Sequence, residues 1–279
     1  MQNASTLAQR QHHWRFINSG ECDGAMNMAL DMAMTEAVAA GKVAPTLRLY
    51  SWRPWAISLG YHQSDQDVDV QRCRADHIDV VLRPTGGRAI LHANELTYAV
   101  ALPPSSPFFL KDVLTVYEII SRSLVRSLTL LGIDVDFERA KKTPKEFARG
   151  DLSTLCYASS VQYEIGINGR KLVGSAQRRI NGSALQHGSI LIGEEHLQIT
   201  KYLSAKSESW RQRVKQYMQK NTISLNQVSD QKIDYNTLAN ALKSGFEQEL
   251  GITFVEQDTS TAELQQARKI VSKFSILAT

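Results

Sequence analysis

Two Asn-Gly pairs divide residues 161–192 into three short runs, and no other feature constrains the fold of this chain as strongly. The pairs are Asn168-Gly169 and Asn181-Gly182, and the runs cover 161–167, 171–180 and 184–192. Both residues of such a pair tolerate positive φ, as a two-residue hairpin turn requires. Because tight turns join antiparallel neighbours, the segment predicts a three-stranded antiparallel meander.

Other strand and helix signals surround the meander. Runs bounded by turn residues predict strands at 14–18, 46–52, 56–60, 78–83, 88–92 and 96–102. Helical spacing predicts helices at 24–40, 110–131, 194–205, 207–220, 235–250 and 261–275. The methionine-rich face of the first helix is interpreted as core packing, and the charged stretch 139–155 predicts a loop. Strands joined by tight turns and interspersed with helices indicate an α+β fold, a mostly antiparallel sheet with flanking helices.

Composition excludes several classes of protein. The net charge of +4 is too mild to indicate a nucleic-acid partner, and no apolar run approaches the roughly 20 residues needed to cross a bilayer. The polar stretch 1–13 lacks the apolar core of a secretory signal, so we expect a cytoplasmic protein. The three cysteines are too scattered for a disulfide framework or a zinc site, and we expect no metal and no other cofactor.

Motifs for common catalytic machinery are also missing from the sequence. The chain contains no Gly-x-x-x-x-Gly-Lys loop, dinucleotide fingerprint or His-Glu-x-x-His pair, which excludes P-loop hydrolases, Rossmann dehydrogenases and zincins. A Ser-His-Asp arrangement stays open, although no Gly-x-Ser-x-Gly elbow supports one.

Cys156 and Lys171 form the first candidate for chemistry. Cys156 follows a polar loop, and the hairpin at Asn168-Gly169 returns Lys171 toward it. An ammonium about 4 Å from a thiolate contributes about 4 kcal/mol at an effective dielectric of about 20, or roughly three pKa units. That shift would carry a thiol pKa from about 8.5 to below 7 and make the sulfur nucleophilic. The alternative is that Cys156, like most single cysteines, is a small hydrophobic residue without reactivity.

A second candidate is the segment 82–92, in which Pro84-Thr85-Gly86-Gly87 lies between Arg83 and Arg88. Adjacent glycines let the backbone approach a ligand with its amides exposed, although Gly-Gly also serves ordinary hairpins. His92 ends the strand that follows, and a single histidine there is more often a structural hydrogen-bonding partner than a base.

Positive charge is concentrated on both sides of Cys156. One group precedes it and another follows it: Lys141, Lys142, Lys145 and Arg149, then Arg170, Lys171, Arg178 and Arg179. These residues are either solvated surface positions or a basic rim that attracts an acidic partner protein or a phosphate group.

The order of these segments resembles the biotin/lipoate protein ligase superfamily, and within it the cysteine-dependent octanoyltransferases that modify the glycine cleavage H protein. The resemblance runs from about residue 14 to about residue 250. Besides Cys156, its motifs are Trp14-Arg-Phe-Ile-Asn-Ser-Gly, Asn27-Met-Ala-Leu-Asp31, Ser58-Leu-Gly-Tyr-His-Gln63, Arg83-Pro-Thr-Gly-Gly-Arg88 with His92, Glu95-Leu-Thr-Tyr98, Gly169-Arg-Lys-Leu-Val-Gly-Ser-Ala-Gln177 and Leu185-Gln-His-Gly-Ser-Ile-Leu191.

This resemblance implies a class II synthetase-like α+β domain and a role for each motif. Cys156 matches the family nucleophile, and Lys171 matches the lysine that lowers its pKa. The substrate-binding residues implied are Arg83, Thr85, Gly86, Gly87, Arg88, His92, Gly174, Ser175, Ala176, His187 and Gly188. Two positions depart from the family pattern: Leu82 replaces the first arginine of an Arg-Arg pair, and Ala93 replaces the acidic residue that commonly follows the motif histidine.

The implied domain organisation has three parts. Residues 1–13 form a mobile N-terminal tail, and residues 14–255 form the catalytic domain of the biotin/lipoate ligase type, with a mostly helical cover over 200–255. Residues 256–279 form a C-terminal helical extension, and we expect a monomer.

The resemblance implies an acyltransferase that works in two half-reactions without a cofactor. The Cys156 thiolate takes an octanoyl group from acyl carrier protein as a thioester. A lysine amine of a lipoyl-domain protein, such as the glycine cleavage H protein, then takes it as an amide. Backbone amides at Gly86-Gly87 or Gly174-Ser175 are two candidate sites for the oxyanion. The scheme involves no nucleic acid and no membrane.

Three alternatives stay open from the sequence. An ATP-dependent lipoate–protein ligase has the same fold, uses the lysine matching Lys171 to contact an acyl-adenylate, and needs no cysteine. A related cysteine-dependent enzyme moves octanoyl groups from the H protein to other acceptors. A non-catalytic lipoyl-binding protein would keep the cavity without the chemistry, but the Cys156–Lys171 pair argues against it.

Overall fold

The computed structural model describes residues 12–109, 113–139, 163–204 and 207–277, so the predicted tail lies almost entirely outside it. Within these ranges the strands are β1 His13–Cys22, β2 Thr46–Trp52, β3 Ala56–Leu59, β4 Asp79–Leu82, β5 Ile90–His92, β6 Glu95–Leu102, β7 Asp136–Arg139, β8 Tyr163–Ile167, β9 Arg170–Ile180, β10 Ser183–Leu191 and β11 Thr253–Glu256. The α-helices are α1 Gly24–Ala39, α2 Val70–Ala75, α3 Val113–Leu130, α4 Glu208–Asn221, α5 Tyr235–Leu250 and α6 Thr261–Ile270. None of these helices combines the length and the apolar character that crossing a bilayer requires.

The strands form one large and one small sheet. The large sheet has the order β11-β1-β2-β6-β10-β9-β8-β7. In it, β1 runs parallel to β2 and β11, and every other neighbouring pair is antiparallel. The small sheet has the order β4-β3-β5, in which β3 is parallel to β4 and antiparallel to β5. The predicted α+β fold with a mostly antiparallel sheet is confirmed.

The predicted meander is confirmed by β8, β9 and β10. Asn168, Gly169, Asn181 and Gly182 all have positive φ, at 52°, 73°, 49° and 83°. Both turns therefore have the backbone that two-residue hairpin loops prefer. β9 pairs with β8 across the first turn and with β10 across the second, which places the two long strands in the middle of the large sheet.

Several predicted elements differ from the observed ones. The sequence does not predict α2, β7 or β11. β11 is a short edge strand in which Phe254 is the one buried residue, so its sequence shows no clear alternation. The helix predicted at 194–205 is instead a 3₁₀ helix over Glu195–Lys201, whose hydrogen-bonded turns are tighter than those of an α-helix. The last helix ends at Ile270, and the predicted loop at 139–155 lies outside the described residues except for its first residue.

Helix α1 lies between the large sheet and α6, and so it buries residues around most of its axis. On the sheet side, Met28 and Met34 pack against Tyr50 of β2. On the other side, Ala33 packs against Ala267 of α6. The core-packing interpretation of this helix is confirmed, although its buried positions do not form a single stripe.

The opposite face of the large sheet is covered by α3 and α5. Leu47 and Leu49 of β2 belong to one apolar cluster with Leu124 of α3 and Leu242 of α5. Because successive strand residues alternate between faces, the intervening side chains of β2 point toward α1. Strand β2 is consequently buried on both faces.

The chain after α6 adds a strand-like contact to the small sheet. Leu82 N–H donates to the carbonyl of Phe274, and Ile276 N–H donates to the carbonyl of Val80, at 2.8 and 2.9 Å. These bonds cover the edge of β4 that β3 leaves open. The predicted helical extension at 256–279 is thus joined to the rest of the structure by backbone as well as by helix packing.

A buried ion pair fastens α6 to β1. Arg15 donates to both carboxylate oxygens of Glu263, with N–O distances of 2.8 and 2.5 Å, and both side chains are almost fully buried. Glu263 also accepts hydrogen bonds from the N–H and the hydroxyl of Ser260, which caps α6. Burial alone would raise the pKa of Glu263, but the hydrogen bonds from Arg15 and Ser260 outweigh it and hold that pKa below its usual value.

We expect Glu263→Gln to lower the free energy of unfolding by about 3–5 kcal/mol at pH 7, because Arg15 is left buried without a counter-charge. Urea denaturation measures the change. Since the folded-state pKa of Glu263 is depressed, its contribution is present above the unfolded pKa of about 4.3 and is lost as the pH falls through the folded value. The stabilities of variant and parent should therefore converge in acid.

Glu21→Gln is the matched control for this prediction. Glu21 pairs with Arg53 on the surface, where both side chains are more than half exposed, and such pairs contribute little. Equal unfolding free energies for the parent and Glu263→Gln at pH 7 would contradict the prediction.

Candidate active site

A cavity of about 230 Å³ opens between the small sheet and strands β9 and β10 of the large sheet. Its lining is mostly apolar with a few polar side chains, as is typical of small-molecule sites. Its walls are formed by Met28, Tyr50, Trp52, Ser58, Arg83, Gly86, Gly87, Ile90, His92, Gly174, Ser175, Ala176, Gln177, His187, Gly188 and Ser189.

Nine of the eleven substrate-binding residues predicted from the sequence line this cavity. The other two are adjacent to it: Thr85 is buried and contacts His187, and Arg88 ends the turn at 83–88. Lys171 is buried near the start of β9 and is not part of the lining. Cys156 lies outside the described residues, so its distance from Lys171 stays a prediction.

Arg83 shapes the turn at 83–88 by binding its carbonyl groups. Its Nε donates to the carbonyl of Gly86 at 3.1 Å, and its Nη2 donates to that of Arg88 at 2.7 Å. Its Nη1 donates to the carbonyl and the hydroxyl of Ser58 on β3, at 2.8 and 3.0 Å. Gly87, which lies between Gly86 and Arg88, has a φ of 97°, which favours glycine. One guanidinium with several donors thus joins the turn to β3.

Two further contacts hold the first half of the turn. Arg178 of β9 donates to the carbonyl of Pro84 at 2.8 Å, and its guanidinium lies over the ring of Tyr61. The N–H of Tyr61 donates to the carbonyl of Thr85 at 2.9 Å. Together with the contacts of Arg83, these bonds direct the carbonyl groups of the turn into the protein.

The amides of Gly86 and Gly87 are in the opposite situation. Neither N–H has an acceptor among the residues that the structure describes, and both glycines line the cavity. Successive amides in such a turn form a concavity that binds anions. These two amides are therefore available to donate to a ligand oxygen.

A buried hydrogen-bond chain runs from α1 to the turn. Asp31 accepts from His187 Nδ1 at 3.0 Å, and His187 Nε2 lies 2.6 Å from the Thr85 hydroxyl. Asp31 also accepts from Arg48 Nη1 and from the Tyr50 hydroxyl, each at 2.8 Å. Burial and the Asp31 carboxylate raise the pKa of Tyr50 well above its usual value, so Tyr50 is a proton donor here. We call Asp31, His187 and Thr85 the Asp31 relay.

A second chain reaches the turn through β6, β5 and β3. Glu95 accepts from His92 Nδ1 at 2.8 Å, and His92 Nε2 lies 2.7 Å from the Ser58 hydroxyl. That hydroxyl also accepts from Arg83. The ring of His92 stacks on Trp52, with centroids 4.0 Å apart and an interplanar angle of 11°. We call Glu95, His92 and Ser58 the Glu95 relay.

Two glycines allow close backbone approaches around the cavity. A Cβ on Gly60 would lie 1.9 Å from the carbonyl oxygen of Gly87, and a Cβ on Gly188 would lie 2.4 Å from that of Gly174. Neither distance is compatible with a side chain. The turn and the β9–β10 pair can therefore surround the cavity this closely only because both positions are glycine.

The backbone of Lys171 is held on two sides. On β8, Gly166 pairs with Lys171 but Ile165 pairs with Val173, so β9 carries one extra residue there. Such bulges redirect side chains and are frequent beside active sites. On the other side, the N–H of Ile223 donates to the carbonyl of Lys171 at 3.0 Å. The position of this residue is thus fixed by its main chain.

The predicted basic rim is described only in its second half. Lys171 is buried, whereas Arg178 and Arg179 are exposed. Arg178 also binds the turn, and the guanidinium of Arg179 lies over the ring of Phe109. The group at 141–149 lies outside the described residues.

The acidic residues of the two relays are part of the site but cannot be assigned to it from the sequence. Asp31 and Glu95 lie within motifs of the resemblance, yet both side chains are buried behind the cavity wall. One signal is present in the sequence: Asn27 and Asp31 lie four residues apart in a methionine-rich helix, where buried polar residues require partners. Met28 beside them packs in the core and also lines the cavity.

The other two cysteines are unsuited to nucleophilic chemistry. Burial raises the pKa of Cys22, and it raises the pKa of Cys73 to about 12. Both thiols therefore stay protonated at neutral pH. Among the described residues, no group of three or more His, Cys, Asp or Glu side chains could hold a metal ion.

Comparisons with known proteins agree with this geometry. The family model for the lipoyl protein ligase A/B catalytic domain matches residues 23–247. Octanoyltransferase LipM of Clostridioides difficile is 35% identical over 265 residues, which cover 94% of this chain and 96% of that protein. Octanoyltransferase LipM of Kyrpidia tusciae is 36% identical over 262 residues, with coverages of 94% and 96%. Among solved structures, a bipartite lipoate protein ligase of Thermoplasma acidophilum, studied with its E2 lipoyl domain, has the same fold, with a TM-score of 0.75, 23% identity and coverages of 94% and 92%.

We expect Gly60→Ala to weaken the binding of octanoate to the cavity at least tenfold. The new methyl group would force Gly87 and its turn to move by about 1 Å, and the turn forms one wall of the cavity. Isothermal titration calorimetry measures the affinity. Ser64→Ala, in the exposed loop after β3, is the control. An octanoate affinity equal to that of the parent would show that the close approach at Gly60 is not needed.

Proposed function

This chain belongs to the lipoyl protein ligase A/B catalytic-domain family, and we propose that it is an octanoyltransferase of protein lipoylation. The observation that carries the proposal is the 35% identity, over nearly the whole chain, to proteins named octanoyltransferases. The mostly apolar cavity with two open amides at one wall suits an acyl chain that ends in a carbonyl. The enzyme is accordingly an acyltransferase.

The reaction proceeds in two half-reactions through Cys156. The thiolate of Cys156 attacks the octanoyl thioester of acyl carrier protein, the carbon–sulfur bond to the carrier breaks, and the carrier thiolate leaves and takes up a proton. The neutral amine of an acceptor lysine then attacks octanoyl-Cys156, forming the amide and releasing the thiol. Exchange between thioesters is nearly isoenergetic and amide formation from a thioester is downhill, so ATP is not needed.

The amides of Gly86 and Gly87 stabilise the tetrahedral oxyanion in this proposal. Preorganised donors aimed at a developing negative charge lower the barrier by several kcal/mol in acyl-transfer enzymes. Both amides lack an acceptor among the described residues, which supports them over the other candidate pair. Gly174 and Ser175 are consecutive residues of the β9–β10 ladder, so one of the two exchanges backbone hydrogen bonds with β10.

Lys171 has the role of stabilising the Cys156 thiolate. Its backbone is fixed by the β9 bulge and by the bond from Ile223, and its side chain is buried. A buried ammonium acts on a neighbouring thiolate through a lower effective dielectric than one in water. The pairing of these two residues is the part of the mechanism that the following experiment tests.

Intact-mass analysis with octanoyl acyl carrier protein, and without ATP, tests the proposed transfer. We expect an octanoyl adduct that hydroxylamine removes and that Cys156→Ala abolishes. Lys171→Met should slow adduct formation at least tenfold at pH 7 and less at pH 9, where the thiol ionises without help. No adduct, with turnover only when lipoate, ATP and magnesium are present, would assign the protein to the ATP-dependent ligases instead. If neither activity is detected, the result would indicate a non-catalytic lipoyl-binding protein.

The proposed partners are an acidic acyl carrier protein as donor and a lipoyl-domain protein, such as the glycine cleavage H protein, as acceptor. Helix α4 supports the donor, since Arg213, Lys215 and Lys220 are exposed on it. The helix ends one residue before Thr222, which forms a β-bridge with Lys171. The end of the helix that carries Lys220 therefore lies beside the backbone of Lys171.

We expect the rate of acylation by octanoyl acyl carrier protein to fall as the salt concentration rises from about 50 to about 500 mM. The salt screens the attraction between the carrier and the exposed cations of α4. Octanoyl-pantetheine, a small donor without the carrier's charge, is the control and should show no such decrease. Stopped-flow or quenched mass measurements give both rates. An equal salt dependence for the two donors would contradict electrostatic docking.

A further inference from the structure

We propose that the Asp31 relay and the Glu95 relay are positioning devices that hold the open amides of the 83–88 turn in place for the reacting carbonyl. This inference rests on the proposed function and gives a second role to residues in and behind the cavity wall. Ser58, His92 and His187 line the cavity, whereas Asp31, Thr85 and Glu95 are buried behind it. Each relay consists of a buried carboxylate, a histidine and a hydroxyl. Both relays end on the same turn, although they start from different elements.

The two relays act on different parts of the turn. The Asp31 relay binds the side chain of Thr85, whose carbonyl is already bound by Tyr61 N–H. The Glu95 relay binds the turn through Arg83, because the Ser58 hydroxyl accepts from that guanidinium while Arg83 binds the carbonyl of Gly86. Thr85, which precedes the two open amides, and the carbonyl of Gly86, which lies between them, are thereby fixed independently.

Each carboxylate orders its relay by setting the proton position on the histidine. A carboxylate that accepts from Nδ1 keeps the proton on that nitrogen, and Nε2 is left to accept from a hydroxyl. For the Glu95 relay this direction is reinforced by Arg83, since the Ser58 hydroxyl accepts from the guanidinium and so directs its own proton to His92. Every hydrogen bond then runs toward the carboxylate, and each hydroxyl has one orientation.

The relays have the composition of a Ser-His-acid triad, but their hydroxyls are not placed for nucleophilic attack. Ser58 and Thr85 are both 0% exposed. A nucleophile needs an open path to the carbonyl carbon, and one lone pair of the Ser58 oxygen already binds Arg83. The hydrogen bonds of these hydroxyls therefore serve to fix the turn.

Accurate placement of the amides matters because oxyanion stabilisation depends steeply on geometry. Functional groups must be held within about 0.5 Å of the productive arrangement, and a misplacement of about 1 Å costs roughly a hundredfold in rate. The turn contains two glycines, one of them at positive φ, so its backbone has little intrinsic rigidity. The contacts from outside the turn must supply that rigidity.

Thr85→Val tests the Asp31 relay with little risk to folding. The substitution removes the hydroxyl and keeps the shape, while Asp31 retains Arg48 and Tyr50 as donors. Thr85→Ser restores the hydroxyl. Thr200→Val is the matched control, because Thr200 is a buried threonine whose hydroxyl, among the residues that the structure describes, donates to Leu197 of its own 3₁₀ segment. Ser58→Ala provides the corresponding test of the Glu95 relay.

The first measurement is single-turnover acylation of Cys156 by octanoyl-pantetheine, followed by intact mass. At saturating donor, we expect Thr85→Val and Ser58→Ala to be ten- to a hundredfold slower, with the half-saturating donor concentration unchanged. Thr85→Ser should lie within about threefold of the parent, and Thr200→Val should be unchanged. Acylation rates equal to the parent, or a change in half-saturation alone, would overturn the positioning role.

The second measurement compares octanal with octan-1-ol as ligands of the same proteins. The aldehyde forms a hemithioacetal with Cys156, whose oxygen occupies the place of the oxyanion, whereas the alcohol occupies only the cavity. We expect the ratio of the two affinities to fall in Thr85→Val by the same factor as the acylation rate. An unchanged ratio would contradict the inference even if the variant were slower.

Two results separate this inference from the proposed function. Absence of any adduct on the parent protein would refute the transferase, and the inference would fall with it. A normal parent with unaffected relay variants would refute the relays alone.

An octanoyl adduct on Cys156→Ala located at Ser58 or Thr85 would make that hydroxyl a nucleophile and overturn the positioning role.

Discussion

Arg48 and Asp31 form an ion pair 2.8 Å long between β2 and α1, where both side chains are at most 1% exposed. An isolated carboxylate in this position would be neutralised or excluded, because burying a charge without a partner costs several kcal/mol. The guanidinium, which also binds the carbonyl and side chain of Asn27, removes that difficulty. Asp31 also accepts from the Tyr50 hydroxyl and from His187 Nδ1. The cavity wall and the turn are organised around this ion pair.

The site depends equally on where the fold omits side chains. Strands β9 and β10 approach each other closely at Gly174 and Gly188, and Gly60, the residue after β3, lies directly against the turn. A cavity between two sheets would otherwise be filled by side chains in a packed interior. Aromatic residues of β2 then close the space, since Trp52 stacks on His92 and donates its N–H to Thr97. The apolar lining and the polar turn are thus supplied by separate elements.

The sequence predicts the local features of this protein well and its long-range contacts poorly. The Asn-Gly hairpins follow from two residues and their intrinsic φ preference, and the nine lining residues are implied by motifs shared with the family that the chain resembles. Neither β11 nor the two relays has a local signal of that kind. Asp31 and His187 are 156 residues apart, and Thr85 and His187 are 102 apart, so only the register of the assembled sheet brings them together. Cys156 and Lys171 are only 15 residues apart, but Cys156 lies outside the described residues, so their pairing stays a prediction.

Helix α1 connects the catalytic region to the C-terminal part of the chain. Its polar residues at 27 and 31 face β2, and Ala33 on another side packs against Ala267 of α6. Because α6 is fastened to β1 by the Arg15–Glu263 ion pair, α1 is enclosed between two elements that are themselves joined. The C-terminal extension therefore helps to enclose the helix that supplies Asp31, although none of its described residues lines the cavity.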